Sequence, residues 1–173
     1  VEIRDDLPET LDGLVEAVTG TDLTEICRQS TVSLGRPTTS VLVTASLKPA
    51  AADIESRFVE AALGNVHATD FRNFGHGRHH WFAKRAEETG IIALVGDGQE
   101  SLATRTLSLL PRSIPRARFD FVGEKDVQAL VGLIVSLHIA EAAGNKRGID
   151  PGKPGVPEFG RKLYHLGPSP KRR

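Results

Sequence analysis

Ile91-Ile92-Ala93-Leu94-Val95-Gly96-Asp97-Gly98 is the stretch that decides the fold. Five consecutive apolar residues, closed by a glycine turn, read as a strand buried on both faces. Strands of that kind belong to parallel sheets covered by helices. Downstream, 101–110 has a helical pattern that stops at Pro111, 117–122 is a second strand, and 126–143 is a long helix, apolar almost all round, ending at Gly144-Asn145. Upstream, 79–89 reads as a helix closing on Gly90, and 66–71 as a weaker strand. Pro49 opens a helix that stops at Gly64-Asn65, behind a β-branched strand over 40–45. Two amphipathic helices come first. One covers 7–18, with Leu7, Leu11, Leu14 and Val15 in phase; the other starts at Asp22, with Leu23, Ile26 and Cys27 on one side.

Alternation of strand and helix predicts an α/β fold: a three-layer, parallel sheet flanked by helices. The expected organisation is N-terminal helices over 1–36, an α/β domain over 37–145 and a Pro- and Gly-rich tail over 146–173. Ligands in such sheets sit at the carboxyl ends of the strands, so the loops after Ala45, Phe71, Val95 and Val122 are the ones to watch.

Composition narrows the partners. The chain has 173 residues, 25% of them charged, at a formal net charge of +0, which gives no field for a polyanion; no nucleic acid is expected. The lone Cys27 excludes an intrachain disulfide framework and fits a reducing, cytoplasmic setting. The run from Leu130 to Ala140 is interrupted by Ser136 and His138 and reads as a buried helix, not a membrane span. The opening at Val1 shows no secretory pattern, and the absence of Met is expected of a piece of a longer protein or a processed one. The Lys171-Arg172-Arg173 end reads as a frayed terminus.

Phe71-Arg72-Asn73-Phe74-Gly75-His76-Gly77-Arg78-His79-His80-Trp81 carries the most chemistry. It lies between a strand and a helix. Gly75 and Gly77 permit a tight turn and close approach to a ligand. Arg72 and Arg78 are fixed cations, and His76 titrates near neutrality. With the amides of the following helix, these are the parts of an anion site, and phosphate is the obvious anion. The plain alternative is a turn with solvated arginines.

This segment is similar to the Gly-Glu-Leu-Lys-His-Gly-Pro stretch of glucosamine-6-phosphate synthases, with 72–78 aligned on it without gaps. The tail 146–154, Lys-Arg-Gly-Ile-Asp-Pro-Gly-Lys-Pro, resembles the Lys-Gly-Thr-Asp-Val-Asp-Gln-Pro ending of the same family. The order of elements agrees over most of the chain. The resemblance is to the second sugar-isomerase (SIS) unit of that family's isomerase part, and it implies a flavodoxin-like SIS fold. It also implies a phosphosugar or other carbohydrate derivative as ligand, and a companion SIS unit, or a homo-oligomer, to complete the site. On it, Arg72, Asn73, Gly75, Gly77, Arg78 and His79 contact substrate, and His76 and Lys162 are the catalytic candidates, as acid/base and Schiff-base amine. The family's catalytic glutamate falls on Asn73, and a neutral amide is no general base. The family's Ser/Thr-rich phosphate loop has no counterpart here, since Thr38-Thr39-Ser40 precedes its strand.

Sugar-phosphate binding is therefore the expected function, with no cofactor and no resident metal. The first alternative is a sugar-phosphate isomerase or aminotransferase-type subunit using His76 and Lys162. The second is a metal-binding domain built on His76, His79 and His80, with Asp70 near in sequence.

Overall fold

The computed structural model describes residues 7–167, with side chains from Leu11 onward; Val1 and the basic end at 171–173 lie outside the described residues. Four strands, β1 (Thr38–Val43), β2 (Asn65–Asp70), β3 (Thr89–Gly96) and β4 (Arg116–Phe121), form one sheet in the order β2-β1-β3-β4. Every neighbour is parallel. The α/β, three-layer architecture expected from the sequence is the one observed.

The helices are α1 (Leu7–Thr19), α2 (Leu23–Ser33), α3 (Lys48–Glu60), the single turn α4 (Phe71–Asn73), α5 (His80–Arg85), α6 (Glu100–Ser108), α7 (Lys125–Arg147) and α8 (Glu158–Leu163). Alternation along the strands sorts the core into two faces. Val41, Val43, Ile92, Leu94 and Phe119 point to the layer made by α1, α2, α3 and α7. Leu42, Ile91, Ala93 and Val95 point to the other layer, where Phe71, Phe74, Phe82, Ala103 and Leu107 meet them. Each fully buried Ile, Leu or Phe contributes about 1.5–3 kcal/mol.

Helix α7 has 23 residues and is long and apolar enough to cross a membrane by length and composition, yet most of it is buried inside the fold. It packs on α1, α2 and α3. Its apolar character is thus met within the chain. It also runs past the expected stop. Gly144 is a packing glycine, since a Cβ there would stand 2.7 Å from Cδ of Pro151. Gly148 ends the helix instead, in the left-handed region at φ +66°.

Other boundaries moved for local reasons. β1 begins two residues before the expected 40, because Thr38 and Thr39 pair with both Asn65-Val66 and Thr89-Gly90. Thr38-Thr39-Ser40 therefore lies inside the strand, not ahead of it. The expected helix over 79–89 is short. It gives way to a 3-10 turn, Ala86–Glu88, and Thr89 already belongs to β3. The first helix turns Leu14, Ala17 and Val18 to the core, while Leu11 and Val15 face solvent. The tail, read as irregular, contains α8.

Candidate functional site

The segment after β2 folds as a chain of short turns. Asp70 caps it: its carboxylate accepts the Asn73 backbone N–H at 2.8 Å and the Asn73 side-chain amide at 2.7 Å. Phe71 and Phe74 are buried and pin the turn to the sheet. A π-type turn, Phe74–Arg78, follows, with Gly77 at φ +140° and ψ −29°. That backbone setting excludes side chains with a Cβ unless strain is accepted. The turn closes with the His79 backbone N–H donating to the Phe74 carbonyl at 3.2 Å. Trp81 then leans back over β2, edge-on to His67 at 4.5 Å between ring centroids, and donates its indole N–H to Thr89 at 2.9 Å.

Two clefts flank β2. The first has a volume of about 340 Å³ and is lined by Ser40, His67, Thr69, Phe74, Gly77, Arg78, Trp81 and Phe82. Ser40 and His67 are register partners on adjacent strands, and His67 and Thr69 alternate onto the same face. The second, about 270 Å³, lies between β2 and the start of α3, with Lys48, Thr69, Asp70, Asn73 and Arg78 among its walls. Arg78 and Thr69 border both.

The electrostatics of the second cleft are mixed. Arg78 and Lys48 bring two cations and Asp70 one carboxylate, with Lys48 Nζ 4.0 Å from Asp70 Oδ2. The Asn73 backbone N–H holds the Asp70 carboxyl below the ordinary carboxylate range. Burial, the next largest effect, opposes it, and the Asn73 side chain, the Lys48 charge and the Arg72 backbone N–H each lower the carboxyl further. The amides at the head of this turn are thus already occupied by an internal anion.

The expected site residues divide by position. Asn73, Gly77 and Arg78 line the clefts. Arg72, Gly75, His76 and His79 are exposed and outside both linings. Lys162 stands on α8, with its ammonium 3.0 Å from the Glu158 carboxylate on the same helix. His79 and His80 stack face to face at 4.5 Å, and the three-donor group found among the described residues does not include them or His76. Lys48, Ser40, His67, Thr69 and Trp81 were not singled out as ligand contacts from the sequence. Alternation of polar residues along the weak strand 66–71 was the available signal for two of them.

The loop after β3 is a different environment. The Glu100 carboxylate accepts the Gly98 N–H at 3.0 Å. Its own backbone N–H first, and that of Gly98 second, hold its carboxyl below the usual range. Across from it, Thr44 Oγ1 accepts the Gly96 N–H at 2.9 Å. Ser46 bonds Gln128 Oε1 at 2.6 Å, and Gln128 Nε2 donates to the Gly123 carbonyl at 2.7 Å.

Fold and clefts together define a three-layer α/β unit with an open pair of clefts at one edge of its parallel sheet. No family model matches the chain, and no curated protein matches it either. Among solved structures, an E. coli CFT073 protein in complex with arabinose 5-phosphate is similar, with a TM-score of 0.55 and 14% identity, covering 95% of this chain and 100% of that one. At that identity the likeness shows the fold.

Proposed function

We propose that this chain binds a phosphorylated sugar or related carbohydrate derivative at the paired clefts around Arg78, as one half of a paired SIS-type module. The observation that carries the reading is the position of Arg78, on the border between an aromatic-walled cleft and a polar one. A phosphate dianion suits the Arg78 guanidinium, with Lys48 in the same cleft. Sugar hydroxyls suit Asp70, Asn73, Thr69 and His67, which offer acceptors and donors in turn. The carbon face of the ring suits Trp81. The resemblance of 72–78 to the SIS segment, and a fold shared with a protein in complex with a sugar phosphate, support the same ligand class.

Binding is preferred over isomerisation because Asn73 stands where a proton-moving carboxylate is needed. Lys162 is also engaged with Glu158 on an exposed helix. Borohydride trapping with a phosphosugar is the check, and a covalent adduct at Lys162 would restore the enzymatic reading.

The direct test is calorimetry on the full chain, with arabinose 5-phosphate and glucosamine 6-phosphate against their unphosphorylated sugars. A charged hydrogen bond contributes about 1.5–3 kcal/mol, so losing the phosphate should weaken binding at least about tenfold. Arg78→Ala should do the same, and Arg72→Ala, outside both clefts, should do less. Equal affinity with and without phosphate sinks the proposal. Light scattering with and without ligand tests the pairing, and a monomer that binds ligand fully removes the companion unit from it.

A further inference from the structure

On the far side of the sheet from Trp81, Cys27 sits on α2, and His138 and Glu141 sit one helical turn apart on α7. A thiol sulfur, an imidazole nitrogen and a carboxylate oxygen there lie within 4.8 Å of one another. His138 Nδ1 is 3.4 Å from Glu141 Oε2, and Cys27 Sγ is 3.5 Å from the His138 carbonyl oxygen. The i, i+3 spacing keeps His138 and Glu141 on one face of α7. The packing of α2 along α7 brings Cys27 to that face, so no loop is needed to hold the three together.

We propose that Cys27, His138 and Glu141 form a binding site for a divalent transition metal of the zinc type, bridging α2 and α7. The donor set selects the class. Sulfur and imidazole nitrogen suit zinc and its neighbours, whereas magnesium and calcium take oxygen. Zinc holds such donors at about 2.0–2.3 Å, so two donors on one tetrahedral ion stand about 3.3–3.7 Å apart. The His138–Glu141 pair already has that separation. Cys27 needs to close by about 1 Å, which side-chain torsion supplies. On binding, the thiol proton leaves to solvent and the thiolate forms the metal–sulfur bond. Three protein donors leave a fourth position for water. Glu141 is exposed and Cys27 and His138 half-buried, so the ion has a path from the surface.

Cobalt(II) titrated into the chelator-treated full chain is the experiment. A thiolate-to-cobalt charge-transfer band should grow to saturation at one equivalent, and zinc should abolish it. Cys27→Ser should remove the band and weaken zinc binding at least about tenfold. Glu141→Gln, at a solvent-facing position where folding is not at stake, should weaken it by about tenfold as well. The triple variant His76→Ala, His79→Ala, His80→Ala should bind as the wild type does. No charge-transfer band at saturating cobalt overturns the proposal. So does zinc affinity unchanged by Cys27→Ser, or lost in the triple-histidine variant.

Discussion

Gly75 and Gly77 stand two residues apart in the turn that sets Arg78, and alanine should affect them in opposite directions. Neither has a heavy atom within 4 Å of the place where a Cβ would stand, so crowding is absent at both. The difference is in the backbone. Gly77 holds φ +140°, where alanine costs about 1–3 kcal/mol. Gly75 belongs to the helical part of the turn, where replacing glycine by alanine gains about 0.5–1 kcal/mol. The two single variants should therefore differ by about 1.5–4 kcal/mol. Equilibrium urea unfolding reads this as a separation of midpoints on the order of 1 M at unchanged slope. If the turn relaxes locally instead, the midpoint of Gly77→Ala moves less, but Arg78 is displaced and phosphosugar affinity falls. Two variants with the same midpoint and the same affinity refute the reading that the positive φ of Gly77 sets the turn that carries Arg78.

Three further outcomes follow from the packing and the ionisable groups. Gly90→Ala should destabilise severely or prevent folding, because a Cβ there would drive into the Ser33 backbone, 2.7 Å from its carbonyl carbon with the oxygen nearer still; a normal thermal melt for that variant contradicts the packing of α2 on β3. Asp70→Ala should cost about 1 kcal/mol as a lost cap. The Asp70 carboxyl lies below its ordinary range in the folded chain. Its contribution is therefore present at neutral pH and is lost as pH falls through the carboxylate range below about 4, so the gap to wild type in urea midpoints should close there. Burial, and then the Glu141 charge, push the Cys27 thiol up. Its contribution is full below about pH 8.5 and lost as pH rises through the folded value, so the wild type should lose stability relative to Cys27→Ala under alkaline conditions and not below them.

The sheet was legible because Ile91–Val95 is a short apolar run closed by a glycine turn, and its alternation with helical segments points to a parallel sheet covered by helices. Helix ends were less legible where a glycine has two possible roles. Gly144 and Gly148 look alike in sequence. One is small because Ile149 and Pro151 lie on it, and the other has positive φ, which depends on the path of the tail after it. Of the site, Arg78 and Gly77 were legible from local chemistry, and Asn73 only through the resemblance of 72–78. Lys48 was not, because its value comes from the parallel pairing of β1 with β2, which sets the start of α3 beside Asp70. Trp81 was not legible as a cleft wall, because it lies across β2, which is an edge strand among the described residues, and that placement depends on the sheet order.

The placement of the clefts has a physical reason beyond the residues that line them. In a sheet ordered β2-β1-β3-β4, the usual ligand crevice opens between the carboxyl ends of β1 and β3, where successive connections diverge. Here that crevice is closed by the chain itself. Thr44 bonds Gly96, Ser46 bonds Gln128, and a Cβ on Gly96 would collide with all three of those side chains. The neighbouring amides of the β3 loop are held by Glu100. Asp97 and Glu100 lie at that end of the sheet with Arg118 near Glu100, whereas Lys48 and Arg78 stand beside Asp70 at the β2 end. For the phosphorylated ligand proposed above, the expected place is therefore one strand outward, at the edge strand β2, with open clefts on both of its faces. A site so displaced is exposed along the outer side of β2. Under the proposed function, this open edge is where a companion unit is expected to close over the ligand.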